Sequence, residues 1–233
     1  EPNSINSEIL AKSKAFKSKA IIIGNHNLLK SQLRILKIKK KLKKIEKPED
    51  FYNSKNSLNI LDVPLKFKKA FSVSDKESSI YIKKCLIIGH KLCLQKRIKG
   101  MINCSINKKK LFKNKNLGVT EFLAKKNKLN KTEVMIIYNK RLSVAPITTH
   151  IKVKEISKNL KKNLLIKKIK TLHKYYKKYF KKNPRIGVLG LNPHNYELKK
   201  NSEEFKIVLP VINRLNKKFK ISGPYPSDTI FLK

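Results

Sequence analysis

Acidic residues are scarce in this chain: 15 Asp plus Glu stand against 57 Lys plus Arg in 233 residues, a formal net charge of +42. A surplus of that size attracts nucleic acid or anionic surfaces. Arginine is scarce as well, confined to Arg34, Arg97, Arg141, Arg185 and Arg214, and it is the planar guanidinium that reads bases and phosphates bidentately. The lysines run through nearly every segment beside abundant Ile and Asn, residues that share A/T-rich codons. The charge therefore reads as solvated lysine faces rather than as a nucleic-acid site. Cysteine is limited to Cys85, Cys93 and Cys104, with no CxxC, which argues against a disulfide framework or a zinc ribbon and for reduced core thiols. No apolar run approaches the roughly 18 to 20 residues of a membrane-spanning helix, and no secretory leader is expected. A cytoplasmic setting is expected. The seven glycines form neither GxGxxG nor GxxxxGK[ST], which excludes a standard dinucleotide fingerprint and a P-loop. The absence of GxSxG and of a Cys/His pairing removes the common nucleophilic hydrolases. The chain starts at Glu1 without methionine and stops at Lys233, and both ends are expected to be cuts in a longer protein.

What is present is a 40% apolar content, enough for a packed core in one large domain or two modest ones. Residues 20–25 (Ala-Ile-Ile-Ile-Gly-Asn) read as a buried strand feeding a helix over 26–38. A lysine-rich excursion follows over 39–57, with a short strand near 42–45. Ser74 and Glu77 have capping-box spacing ahead of a helix over 75–98, its apolar face drawn through Ile80, Leu86, Ile87, His90 and Leu94. Residues 100–104 read as the next strand. A hairpin is expected from 134–138 and 142–147 around the turn Asn139-Lys140-Arg141. Ile156, Leu160, Leu164, Ile169, Leu172, Tyr176 and Tyr179 trace one amphipathic helix that ends before Pro184. A buried strand at 185–190 and a helix over 202–215 complete the pattern. Strands alternating with helices predict an α/β fold, layered α/β/α around a mostly parallel sheet.

Two histidines follow strands: His150 after Thr148-Thr149, and His194 after Gly190-Leu191-Asn192-Pro193. A side chain at such a strand end is held rigidly at the mouth of a sheet, and two imidazoles supply part of a divalent-metal site. On the residues alone, each reads first as a side chain that caps a strand end or hydrogen-bonds a carbonyl. His26, His90 and His173 fall inside helical patterns and are assigned to packing or surface. Asn107-Lys108 comes directly after the expected strand 100–104, where backbone amides and Lys108 can greet a phosphate. Asp228 sits in a loop pinned by Pro224 and Pro226, as a base, a positioning group or a turn cap.

In their order along the chain, these segments resemble the 4-hydroxythreonine-4-phosphate dehydrogenase family. Residues 1–8 (Glu-Pro-Asn-Ser-Ile-Asn-Ser-Glu) are similar to its acidic-Pro-x-Gly-Ile-Gly-x-Glu turn, 105–108 to Pro-Ile-Asn-Lys, and 118–122 to Gly-His-Thr-Glu-Phe. Residues 145–150, 190–194 and 223–231 are similar to its Thr-Thr-His, Gly-Leu-Asn-Pro-His and Gly-Pro-x-x-Ala-Asp-Thr-x-Phe segments. The resemblance implies an isocitrate/isopropylmalate dehydrogenase-like fold, incomplete at its C-terminal end, with a first α/β domain over 1–115 and a second over 116–233 that carries the metal histidines. It implies NAD and a divalent metal (Zn, Mg or Co) as cofactors, His150 and His194 as two of three metal ligands, and Thr120 as a contact to the phosphorylated hydroxy amino acid substrate. Asp228 and Lys108 become candidates for proton transfer. It further implies a homodimer with a shared active site, in which a metal ligand comes from the partner. The third histidine and much of the NAD site are expected beyond Lys233, so the 233 residues are expected to be inactive alone. Val119 stands where the family has a substrate-contacting histidine, and residues 195–200 lack the family's glycines. The competing readings are a dehydrogenase of another four-carbon phosphorylated hydroxy acid and, from a different class, a basic RNA-binding protein.

Overall fold

The computed structural model describes residues 1–13, 20–51, 57–112, 118–129, 132–149, 151–192 and 200–231. They form two compact units, Glu1–Asn116 and Leu117–Lys233.

In the first unit, helix α1 (Asn6–Lys12) precedes strand β1 (Ile21–Gly24), helix α2 (His26–Ile35), strand β2 (Lys41–Ile45) and strand β3 (Ser57–Asp62). The strands pair in the order β1-β3-β2, both ladders parallel, with Ile22 opposite Ile60 and Leu42 opposite Leu58. Asn25 makes the sharp change from β1 to α2 possible. Its Oδ1 accepts the Leu28 N–H at 2.8 Å, and its Nδ2 donates to the Val63 carbonyl at 2.9 Å. The Asp62 carboxylate receives the His26 N–H at 2.8 Å, so the ends of two parallel strands secure one helix start. Ile22 packs with Leu29, Leu33 and the fully buried Ile60 under α2. Side chains alternate along a strand, and the next residue, Ile23, approaches Gly89 of helix α3 (Asp75–Leu94), where an added Cβ would lie 3.2 Å from its Cδ1. Helices α2 and α3 therefore cover opposite faces of the sheet, the layered α/β/α arrangement expected.

Several sequence expectations change here. β3, with its run Leu58-Asn59-Ile60 buried, is the central strand although the sequence pattern passed over it. Helix α2 ends at Ile35 and α3 at Leu94. The buried residues of α3 are Ser78, Tyr81, Ile82, Leu86, Gly89 and Leu92, whereas Ile80, Ile87 and Leu94 of the expected face are exposed. Small and polar residues on the packed side disguised it. Residues 100–104 form no ladder, and Ile102 is almost fully exposed. Met101 instead folds against Gly89, where any Cβ would sit 2.4 Å from its sulfur. A short helix α4 (Lys108–Phe112) follows.

The second unit opens with α5 (Val119–Lys126). The expected hairpin reduces to one antiparallel bridge, Ile137 with Val144, because most of its apolar residues stay exposed and no further strand covers them among the described residues. The single long helix divides into a 3-10 turn (Val153–Glu155), α6 (Ile156–Asn159) and α7 (Lys162–Phe180), with an extended Leu160 between them. Strand β4 (Ile186–Leu189) pairs in parallel with β5 (Ile221–Tyr225), a strand also missed from sequence. Among the described residues between them, a π turn (Glu204–Val208) continues into α8 (Leu209–Leu215). Pro210 explains the widened turn, since it has no N–H and its ring collides with the carbonyl four residues back. Leu160, Leu165, Ile169, Val208, Val211, Ile212, Leu215 and Ile221 form the core of this unit.

Candidate active site

In the first unit the opening turn and the 105–108 segment meet. The Ser4 hydroxyl donates to the Glu1 carbonyl at 2.8 Å and accepts the Asn6 N–H at 3.2 Å, so side-chain bonds hold the turn. Asn6 Nδ2 donates to the Ser105 carbonyl at 2.9 Å, and the Glu1 carboxylate receives the Asn107 N–H at 3.1 Å. Asn107 in turn accepts the Lys110 N–H at 3.1 Å and caps α4. Lys108 is the first residue of that helix and is exposed.

The second unit joins other motifs. Glu121, in the first turn of α5, accepts the Gly118 N–H at 2.9 Å with one carboxylate oxygen, and the Thr149 hydroxyl points at the other from 3.4 Å. Thr120 is exposed on the same turn. The chain segment carrying the expected phosphate contact is thus tied to the residue just before His150. Near the end of β4, Gly190 N–H donates to the Tyr225 carbonyl at 2.9 Å, which sets the start of one motif beside the end of β5. Gly223, at φ +122, allows this pairing: a Cβ there would lie 2.3 Å from the Val188 carbonyl oxygen. Asp228 lies in the turn over 227–230 and is exposed.

Glu204 falls near the start of the helix expected over 202–215. It is 1% exposed, and its Oε1 receives the N–H groups of Leu191 at 2.7 Å and Asn192 at 3.1 Å. Its neighbour Glu203 hydrogen-bonds the Ser157 hydroxyl, which holds the Glu203 carboxyl below the usual carboxylate range. Lys168 of α7 is 7% exposed. Burial lowers the pKa of its ammonium, with Glu133 and Glu121 acting in the opposite direction. The Gly118-to-Glu121 spacing signals the first clamp in the sequence; nothing local signals Glu204 or Lys168.

His150 and His194 lie outside the described residues, and among the described residues no group of three His, Cys, Asp or Glu side chains is placed to hold a metal ion. Of the remaining histidines, His173 packs against Phe219 with ring centroids 4.4 Å apart and the rings tilted by 51°, and His26 Nδ1 lies 3.3 Å from Asn27 Oδ1 at an exposed position. Of the free thiols, burial pushes Cys85 up to about 11, so it stays protonated near neutral pH and is no nucleophile.

A parallel α/β chain in which carboxylates hold the segments after β1 and β4 has the layout of folds that assemble sites from strand-end loops. A profile of the pyridoxal phosphate biosynthetic protein PdxA family matches residues 17–233, and the chain belongs to that family. The chain is 32% identical over its whole length to 4-hydroxythreonine-4-phosphate dehydrogenase of Aquifex aeolicus (strain VF5), spanning 73% of that protein. It is 28% identical to D-threonate 4-phosphate dehydrogenase of Pectobacterium atrosepticum, again over its whole length and 74% of the relative. The crystal structure of 4-hydroxythreonine-4-phosphate dehydrogenase from Klebsiella pneumoniae superposes with a TM-score of 0.85 at 25% identity, covering 99% of this chain and 74% of that one.

Proposed function

We propose that the protein oxidises the secondary alcohol of 4-phosphohydroxy-L-threonine to a β-keto acid, which loses carbon dioxide to give 3-amino-2-oxopropyl phosphate, a step toward pyridoxal 5'-phosphate. The observation that carries this reading is the family match over residues 17–233, which spans the five later motifs. His150 and His194 would hold a divalent metal. The donor set fits: imidazole nitrogens suit zinc or cobalt, and Thr149 and the Leu191-Asn192 backbone, which lead to the two histidines, are each tied to a glutamate. When bound, the metal supplies Lewis acidity and NAD takes up the hydride. No residue is assigned to NAD.

The chain's own groups divide the remaining work. Thr120, exposed at the start of α5, offers its hydroxyl to the substrate's phosphate, where helix-terminal amides favour an anion. Lys108 and Asp228, both exposed, are the groups proposed to move the hydroxyl proton. The reading includes a cytoplasmic homodimer with a shared site; no described helix is long and apolar enough to cross a membrane.

A second reading has specific support. Val119 occupies the position of the family's substrate-contacting histidine, and the Pectobacterium relative is named for D-threonate 4-phosphate. Valine cannot hydrogen-bond, so the substrate group met by that histidine would change. The assay is NADH formation by the full-length protein with each acid phosphate. The expected result is turnover of 4-phosphohydroxy-L-threonine, abolished in H150A and H194A, with KM raised roughly tenfold in T120A through loss of one hydrogen bond to a charged group. Preference for D-threonate 4-phosphate selects the second reading. No turnover of either substrate sinks both.

A further inference from the structure

We propose that Glu204 is the positioning residue for the segment that leads from β4 to His194. A carboxylate that is 1% exposed has lost its hydration and must find donors inside the protein. Glu204 finds two successive backbone N–H groups, Leu191 at 2.7 Å and Asn192 at 3.1 Å, converging on a single oxygen, Oε1. Two charge-assisted bonds to adjacent amides define the course of the backbone at that point more tightly than one would. The carboxylate is itself fixed from behind. Ser202 accepts the Phe205 N–H at 3.2 Å through its hydroxyl, and its carbonyl accepts the Lys206 N–H at 3.0 Å. The π turn then sets Glu204 on a stretch whose next residues, Val208, Val211 and Ile212, are locked in the core. Glu204 thus couples the core of the second unit to the turn at 191–192. Its hold on the turn stands on the hydrogen bonds; its service to a metal rests on the reading proposed above for His194.

The test combines amide hydrogen exchange by NMR with titration of Co(II), in the wild type and in E204A, E204D and E204Q. In the wild type the Leu191 and Asn192 amides are expected to be protected by their bonds to Glu204. E204A removes the acceptor, and E204D draws it back by one methylene. Both are expected to speed exchange at these two amides roughly 10- to 100-fold, the equivalent of a lost bond to a charged group, while Ile169 and Ile212 stay protected. Cobalt affinity is expected to fall by a similar roughly 10- to 100-fold, as when a group supporting a metal ligand is removed. E204Q keeps an oxygen in place, so it retains protection and binds cobalt within a few-fold of the wild type. It also covers the case in which E204A does not fold. Unchanged exchange at Leu191 and Asn192 in both E204A and E204D overturns the assignment, as does exchange in E204Q as fast as in E204A. Lost protection with unchanged cobalt affinity makes Glu204 a purely structural group and overturns its positioning role. If the wild type binds no cobalt, the reading of His194 fails instead, and the exchange data alone decide whether Glu204 holds the turn.

Discussion

Asn25 shows how much one side chain carries at the end of β1. It caps α2, holds the Val63 carbonyl, and donates its own N–H to the Tyr81 hydroxyl at 2.7 Å. N25A is expected to lose about 2 kcal/mol, a cap plus an unsatisfied buried carbonyl, measured by denaturant unfolding. Asp62 beside it gives a pH signature. Burial pushes its pKa up, but the His26 N–H and the Lys44 ammonium outweigh burial and the net shift is downward. A carboxyl with a lowered folded pKa adds stability above its unfolded pKa, roughly 4, and loses it as pH falls through the folded value. The stability difference between wild type and D62N should be largest above about pH 5 and should shrink steadily below about pH 4. Lys168 has the opposite sign: its buried ammonium is penalised at neutral pH, and the penalty fades as pH rises toward the ordinary lysine range. K168M, which keeps the stem and removes the charge, should raise Tm by roughly 2 to 4 °C, about 1 kcal/mol in a chain of this size. An unchanged or lower Tm would show that Glu121 and Glu133 offset the burial of Lys168.

Among the elements, the β4–β5 pair depends on one backbone position. Gly223 has a positive φ and no room for a Cβ against the Val188 carbonyl. G223A should cost more than about 2 kcal/mol through combined strain and clash and should lower protection at Ile186 and Gly190, the amides that bond beside β5. How far the sequence revealed these elements depended on how regular their burial is. β1 and β4 are short β-branched or apolar runs and were readable; β2 was readable despite its three lysines, because Leu42 and Ile45 make the expected strand 42–45 apolar at both ends. β3 was hidden by Asn59, a polar residue buried at the centre of the sheet, and β5 by Gly223 and Pro224 inside a strand. Residues 100–104 look like a strand but have no partner strand among the described residues. Periodicity reports burial, and it fails where burial comes from a tertiary partner not visible in the local pattern.

For the molecule as a whole, the parallel α/β character and the family were legible because alternating elements and six motifs keep their order over long stretches of chain. The supports of the site were not. Glu204 and Thr149 meet their partners across 13 and 28 positions of chain, and a spacing of that kind leaves no trace in a window of local sequence. The charge of +42 belongs to this scale too. If it is a solvated surface, affinity for generic RNA should stay weak at moderate salt; tight binding with a steep salt dependence would favour the basic RNA-binding alternative.

The central claim is that His150 and His194 share one divalent ion. Co(II) titration followed by ligand-field absorption tests it most directly, because imidazole coordination has its own spectrum whether or not the protein turns over. The expected result is one ion per chain whose absorption is lost in both H150A and H194A. A wild-type spectrum preserved in both variants, or no cobalt bound at all, would contradict it.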